Sequence, residues 1–289
     1  MKQKLAVIAA ASLLVFTFVI SGCAADKNIK ESTASQPHTT NSQTGPENSV
    51  PTSSSVSSRS PSSGLNTQEV TITIPEGFTW DLIAKRLEAN EICTAEEFYQ
   101  VCQSYRPKSV TVPADNNRAF VMEGYLYPAT YTFKKGEDPQ NILIAMLNAY
   151  RNNTGATLTD EQLIIASIVQ METRSPNHMA MVAGIIYNRL NNGLPLQMDS
   201  TREYINNYVT DNPLLGDTSK YAALFNTYKC QALPAGPICS PGADAINAVR
   251  NPAQTDALYF FFGKDNENHY SVTYEEHQAA IAQFGVQYE

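Results

Sequence analysis

The chain has 289 residues, of which 43% are hydrophobic and 17% charged, and its 20 basic and 28 acidic side chains give a formal charge of −8. This composition is typical of a globular protein with a real core, of one or two domains. No cluster of Lys and Arg forms the basic face that phosphate binding requires, so the sequence predicts no nucleic-acid partner.

Residues 1–22 are predicted to be an export signal. The positively charged "MKQK" precedes an apolar run, "LAVIAAASLLVFTFVI", which is slightly short for a spanning helix. Small residues directly before Cys23 resemble a bacterial lipobox, which implies cleavage before Cys23 and acylation of its thiol. The alternative is an uncleaved membrane anchor. Both interpretations predict a protein at the extracytoplasmic face of the cell membrane, and the first predicts that a lipid anchor holds it there.

Residues 23–67 are dominated by Ser, Thr, Pro, Asn and Gln, and no aromatic residue occurs between Phe18 and Phe78. Such a segment buries too little apolar area to offset its ordering entropy, so we predict a disordered tether that follows the acylated cysteine.

Residues 68–115 are predicted to form a small βααβ unit. "EVTITI" alternates as a half-buried strand does, and Thr79 is a candidate N-cap for the helix that follows. A second helix starts after Thr94, which forms a capping box with Glu97. The second strand of the unit is assigned to "SVTVP" at 109–113.

Residues 116–289 are predicted to form a larger mixed domain. Because its helices and strands are grouped rather than regularly alternating, we expect an α+β fold. The predicted helices lie near 138–151, 160–173, 178–192 and 243–250, and the predicted strands near 257–262 and 269–272.

The helix at 160–173 carries the most informative carboxylate, Glu172. Thr159 and Gln162 form a capping box at its start. Glu172 shares one helical face with Ile165, Ile168 and Val169, and so ends an otherwise apolar stripe.

Burial in such a stripe raises the pKa of a carboxyl, and a carboxyl that stays protonated near neutral pH can donate a proton to a leaving group. The alternative left open by the helix alone is that Glu172 turns to solvent or pairs with Arg174 or Arg189.

Several motifs around this helix occur in a recognisable order: "EGYLYPATY", "ASIVQMET", "VAGIIYNRLNNGLPLQMDST", "NTY", "LPAGPI-SPG" and a final "H-S-T-EH". Together they resemble the YceG-like family of endolytic lytic transglycosylases, often called MltG. The resemblance covers roughly residues 70–289 and implies a LysM-like glycan-binding unit over 68–115 and a catalytic domain over 116–289.

The resemblance implies that Glu172 is the single catalytic acid and base that cleaves the bond between N-acetylmuramic acid and N-acetylglucosamine, leaving 1,6-anhydro ends. Two positions depart from the family pattern, Gln170 in place of an acidic residue and His178. Neutral and hydroxyl side chains suit sugars, and the candidate substrate contacts are Gln197, Asp199, Asn226, Thr227 and Tyr228.

Asn226 and Asp199 have a second interpretation, because such residues commonly cap turns. Glu123 is predicted to support the site, and His269 to donate or accept a hydrogen bond in the cleft. His269 and His277 lack metal-ligand spacing, so we expect no metal and no cofactor.

The resemblance implies peptidoglycan glycan strands as the substrate and action near the synthases that polymerise them. Two alternatives stay open. One is a catalytically weak or inactive lipoprotein that binds peptidoglycan, motivated by Gln170 and His178. The other is a solute-binding lipoprotein.

Four cysteines follow Cys23. Cys93 and Cys102 lie too far apart along a predicted helix to form a disulfide bond. Cys230 and Cys239 lie in a Pro- and Gly-rich loop that could fold back, so we predict a disulfide bond between them, the alternative being two free thiols.

Overall fold

A computed structural model describes residues 68–108, 110–113, 117–155, 157–229 and 232–287. The predicted signal peptide, the acylated Cys23 and the tether lie outside these residues. The elements in chain order are β1 (Glu69–Thr73), α1 (Trp80–Ala89), α2 (Ala95–Ser104), β2 (Thr130–Lys134), α3 (Pro139–Thr154), α4 (Asp160–Glu172), α5 (Pro176–Asn191), α6 (Asp199–Tyr204), a π-helix (Ile205–Val209), α7 (Tyr221–Phe225), α8 (Ala243–Arg250), β3 (Tyr259–Phe262), β4 (Asn268–Ser271) and α9 (Tyr274–Phe284).

Helices and two small antiparallel sheets are combined in this part of the chain, which confirms the predicted α+β class. The described residues fall within one compact unit, and the buried apolar side chains from Ile72 to Val249 form one continuous cluster. The domain boundary near residue 115 and the LysM-like character of the first segment therefore stay predictions.

The first sheet corrects one prediction. β1 pairs with β2 in antiparallel register, Thr71 opposite Thr132, and not with the predicted strand at 109–113. Residues 110–113 form no strand, because Val110 and Val112 pack against the core while Pro113 has no N–H to donate to a ladder. The βααβ order is thus completed by a strand about 20 residues further along the chain.

The helix starts of this segment follow the predicted capping rules. The Thr79 hydroxyl accepts from the Leu82 amide at 3.3 Å, and Thr94 and Glu97 form the capping box at the start of α2. Cys93 and Cys102 are both buried free thiols, as the helix geometry requires.

The centre of the molecule is α4, which packs against α5, α6 and α8. All seven residues from Leu163 to Val169 are buried, so the middle of α4 is surrounded by protein on every side. The sequence predicted a single apolar face, and the structure shows that only the first turn and the last three residues of this helix reach the surface.

The remaining predicted elements are present with small changes at their ends. α5 starts at Pro176, a favourable first helical residue, and α8 spans the predicted 243–250. β3 and β4 form a hairpin. The sequence did not predict α6, the π-helix, α7 or α9. In the described part of the chain, no helix has the length and apolar character needed to span a membrane.

Candidate active site around Glu172

Glu172 is the last residue of α4, where the buried helix meets the surface, and its side chain is half-buried. The Ser200 hydroxyl on α6 donates a hydrogen bond to Glu172 Oε1 at 2.7 Å. The helix thus ends in one carboxyl group at the edge of the apolar core, which accepts hydrogen bonds from the hydroxyl and the backbone of Ser200.

Several groups act on the pKa of Glu172. Burial raises it most, and the nearby negative charges of Asp199 and Glu203 raise it further, whereas the hydrogen bonds from Ser200 lower it. The balance leaves the pKa above that of an ordinary glutamate, as the sequence predicted for this position. A carboxyl of this kind keeps its proton to higher pH and can serve as a general acid.

Arg189, one of the two arginines that the alternative interpretation offered as partners of Glu172, forms its hydrogen bonds elsewhere. It is buried, and its guanidinium donates to the carbonyl oxygens of Pro195 and Leu258, at 2.9 and 2.8 Å. It also donates to Gln197 Oε1. Arg189 therefore fixes the loop before α6 and the residue before β3.

That loop positions α6. Gln197 adopts a positive φ of 57°, and its amide donates to the Thr227 carbonyl at 3.0 Å. The Thr227 side chain is fully buried, accepts from the Met198 amide at 3.0 Å and lies 3.1 Å from the Thr201 hydroxyl. The structure thus places Thr227 beneath the loop, where it joins two segments 29 residues apart.

Asp199 and Tyr228 lie at the surface beside Glu172. Arg202 forms an ion pair with Asp199 at 3.1 Å and lies over the Tyr228 ring, 5.0 Å from its centroid. Burial, followed by the neighbouring Asp199 carboxylate, raises the pKa of Tyr228, and Glu172 contributes to the same shift. Tyr228 is 38% exposed, and its hydroxyl forms a hydrogen bond with the Asp199 carboxylate.

Asn226 caps the turn that carries Tyr228, because its Oδ1 accepts from the Tyr228 amide at 3.0 Å. This is the turn-capping alternative that the sequence left open. Of the five predicted substrate contacts, the structure brings Asp199 and Tyr228 to the surface at Glu172. The other three, Gln197, Asn226 and Thr227, form internal hydrogen bonds that shape the same loops.

Gln170, one of the two departures from the family pattern, has a structural partner. Its Oε1 accepts from the Gly242 amide, which precedes α8, at 2.9 Å. The Glu76 carboxyl lies against the same residue, since a Cβ at Gly242 would be 2.0 Å from the Glu76 carboxyl carbon. A carboxylate is therefore already present at this helix N-terminus, and a neutral amide at position 170 avoids a second negative charge there.

Glu123 is buried, and its carboxyl lies against the backbone of Trp80, the first residue of α1. It accepts from the Trp80 amide, at 2.9 and 3.1 Å to its two oxygens, and from the Tyr204 hydroxyl of α6 at 3.1 Å. Burial raises its pKa to about 8, although these hydrogen bonds act in the opposite direction. Its position fits the predicted supporting role, because it connects α1 to the helix that carries Ser200.

The histidines lie in the hairpin region. The His269 ring nitrogen Nε2 donates to Asp265 Oδ2 at 3.0 Å, and the ring stacks between Phe261 and Phe284. His178, the second departure, lies 2.6 Å from the Asn268 amide nitrogen and joins α5 to β4. The contacts found for His269 are all within the hairpin and α9, so its predicted place in a cleft stays a prediction.

The predicted disulfide bond involves one residue outside the described part of the chain, Cys230. Its predicted partner, Cys239, is a buried free thiol that donates to the Ser167 carbonyl at 3.3 Å. The structure gives no support to the bond, which stays a prediction.

Two cavities lie away from Glu172. One, of about 390 Å³, is bordered by Tyr125, Tyr150 and Asp160, and the other, of about 440 Å³, by Trp80, Asp81 and Tyr208. Glu172 borders neither of them. Among the residues that the structure describes, no group of three or more His, Cys, Asp or Glu side chains is arranged to hold a metal ion.

Sequence reasoning missed Ser200 and Tyr204, and it named Arg189 only as a possible partner of Glu172. The first two are one turn apart on α6, and a helix starting at Asp199 would have placed them on one face. α6 has only six residues, which is too short for its periodicity to be read from sequence.

Comparison with known proteins gives consistent matches. The model of a family described as YceG-like matches residues 52–283. A protein of Streptococcus pneumoniae serotype 2 (strain D39 / NCTC 7466), named endolytic murein transglycosylase, is 30% identical over 243 residues, which are 74% of this chain and 44% of that protein. A protein of Bacillus subtilis (strain 168) with the same name is 31% identical over 196 residues, 64% of this chain and 54% of that protein.

The chain spans about half the length of the curated relatives it matches. Among solved structures, a 2.6 Å crystal structure of lmo1499 from Listeria monocytogenes, described as yceG-like, matches with a TM-score of 0.59 and 30% identity. That match covers 73% of this chain and 75% of the other.

Proposed function

Because the chain belongs to the YceG-like family, we propose that it is an endolytic murein transglycosylase in which Glu172 is the single general acid and base. The observation that carries this proposal is the position of Glu172. Its carboxyl ends a buried helix, has a raised pKa and still reaches the surface beside Asp199 and Tyr228. The names of the two similar proteins support the choice of murein as substrate.

The proposed reaction needs one proton and no water. Protonated Glu172 donates to the oxygen that bridges N-acetylmuramic acid and N-acetylglucosamine, and the bond from this oxygen to the anomeric carbon breaks. The N-acetylglucosamine end leaves as an alcohol. The Glu172 carboxylate then takes the proton of the muramyl 6-hydroxyl, whose oxygen bonds to the anomeric carbon and forms the 1,6-anhydro ring.

The neighbours of Glu172 favour this sequence of steps. A glycosidase that uses water as nucleophile commonly has a second carboxyl group across the scissile bond. The carboxylates near Glu172, Asp199 and Glu203, are on the same helix as Ser200, and Asp199 is paired with Arg202. Their negative charge keeps the Glu172 proton in place until the sugar oxygen accepts it.

The proposal extends to location and partners. The apolar run before Cys23 and the polar segment that follows would tether the domain to the outer face of the cell membrane. From there it would reach newly polymerised glycan strands close to the synthases that make them.

The test is a product assay with the full chain in detergent micelles and uncrosslinked glycan strands. We expect products with anhydro ends, which mass spectrometry identifies because they lack one water relative to reducing ends. Glu172→Gln should lower the rate by about 1,000-fold, since a general acid contributes on the order of 10²–10⁴. Glu161→Gln, the same change in the exposed first turn of α4, should leave the rate unchanged.

Two outcomes would contradict the proposal. Products with reducing ends would show that the protein is a hydrolase. Binding of the strands without any product at high protein concentration would show the peptidoglycan-binding lipoprotein considered above.

A further inference from the structure

We propose that Ser200 is a positioning residue for Glu172, and that it is held in place through Tyr204 and Glu123 from the start of α1. The proposal rests on the proposed function for its effect on turnover, while the contact itself can be tested without substrate. The matches to known proteins assign no role to Ser200, Tyr204 or Glu123.

The contact is direct. The Ser200 hydroxyl donates to Glu172 Oε1 at 2.7 Å, and the Ser200 residue is only 7% exposed. A short hydrogen bond in a site of limited solvent access holds the acceptor carboxyl in one rotamer. Because Ser200 is almost fully buried, water cannot readily replace its hydroxyl in this contact.

The direction of the bond assigns different roles to the two carboxyl oxygens. A protonated carboxyl has one oxygen with a proton and one that only accepts. Because Oε1 accepts from the Ser200 hydroxyl, we place the acid proton of Glu172 on Oε2. Oε2 is therefore the atom that would give the proton to the glycosidic oxygen and take it back from the 6-hydroxyl.

The charged groups facing Glu172 explain why such a bond is needed. Asp199 and Glu203 on α6 disfavour the ionised form of Glu172, and Tyr228 is electrostatically coupled to it. The bond from Ser200 opposes them by stabilising the carboxylate. A group that must both release and recover a proton benefits from such a balance, because neither form is then strongly favoured.

α6 is anchored one turn beyond Ser200. Tyr204 lies at i+4, on the same helical face, and its hydroxyl donates to the buried Glu123 at 3.1 Å. Glu123 also accepts from the Trp80 amide at the start of α1. The buried hydrogen bonds therefore form a path from the N-terminal segment through Tyr204 to the helix that carries Ser200.

The test measures the pKa of Glu172 directly, by NMR titration of carboxyl carbons in the full chain labelled at glutamate and solubilised in detergent. Glu172→Gln identifies the Glu172 signal by its loss. In Ser200→Ala we expect the pKa of Glu172 to move upward, because a donor that favours the carboxylate is gone. Ser200→Thr, which keeps a hydroxyl, should restore the wild-type titration, and Ser104→Ala on α2 should not change it.

Turnover gives a second readout. Ser200→Ala should lower the rate at neutral pH by about 10-fold, the size expected for a hydrogen bond to a charged group. The alkaline limb of its pH–rate profile should move upward with the pKa of Glu172. Tyr204→Phe, which removes only the anchoring hydroxyl, should shift both readouts in the same direction by a smaller amount.

An unchanged pKa of Glu172 in Ser200→Ala would overturn the proposal, and so would Ser200→Thr behaving like Ser200→Ala while folding normally by circular dichroism. If the wild type cleaves no glycan but Ser200→Ala still shifts the pKa of Glu172, the proposed function fails and the positioning contact stands.

Discussion

Glu123 and Glu172 are two carboxyl groups at the edges of one core, and burial raises the pKa of both. Their surroundings differ. Glu123 is 2% exposed and its oxygens accept from the Trp80 amide and the Tyr204 hydroxyl. Glu172 is half-buried and receives its side-chain hydrogen bond from Ser200 on one oxygen.

The comparison shows that a raised pKa does not by itself identify a general acid. A carboxyl must also be reachable by the atom that accepts its proton. Burial raises the pKa of Glu123 to about 8, yet Glu123 lies inside the protein, so it stabilises the fold. Glu172 is half-buried at the end of α4, which is the exposure that the proposed general acid requires.

The largest expected difference between the two groups is in stability. Glu123→Ala should lower the free energy of unfolding by about 3 kcal/mol, because the Trp80 amide and the Tyr204 hydroxyl lose a buried acceptor. Glu172→Ala should lower it by less than about 1 kcal/mol, since one partly exposed hydrogen bond is lost. Urea unfolding of both variants measures the difference. Equal losses would show that the two environments are not distinct.

A smaller effect is expected in the pH dependence of stability. Glu123 has a pKa of about 8 in the folded protein and an ordinary value of 4.5 when unfolded, so between these values the folded state holds a proton that the unfolded state has released. Its contribution is full below about pH 4.5 and is lost as the pH rises through 8.

Urea unfolding between pH 5 and 9 should therefore show stability falling with pH in the wild type and a shallower fall in Glu123→Gln, which cannot ionise. Parallel curves for the two proteins would mean that Glu123 does not titrate in this range.

The smallest expected effect concerns Gln170, two residues before Glu172. Gln170→Glu should lower the free energy of unfolding by about 0.5 kcal/mol, because the Glu76 carboxyl already lies against Gly242 at the start of α8. The loss should disappear when Glu76 is changed to Gln, which a double-mutant cycle measures. A loss that persists in the Glu76→Gln background would rule out charge repulsion as its cause.

The sequence predictions were accurate where the interacting residues are close together in the chain, and less accurate where they are far apart. The capping boxes at Thr94 and Thr159 were predicted correctly because each joins residues three apart, which the helix geometry brings together without help. The prediction of a strand at 109–113 was wrong because packing determines which strand pairs with β1. β2 places the buried Phe133 opposite Val70.

The candidate site shows the same division. Glu172 could be found from the apolar positions of its own helix and the order of the surrounding motifs. Tyr228 and Asp199 could be named as candidates but not distinguished from Asn226 and Thr227, since only the folded loops show which side chains face outward. Ser200 lies 28 residues from Glu172, and no local pattern relates the two.

The sequence by itself determined α1 to α5 and α8, several of their caps, and the placement of one carboxyl at the end of α4, because these follow from contacts between residues a few positions apart. The tertiary structure decided how each carboxyl behaves. Glu123 owes its burial to partners 43 and 81 residues away, and Glu172 owes its orientation to a serine on another helix. The pKa and exposure of a side chain depend on the dielectric and the donors around it, and long-range packing supplies both.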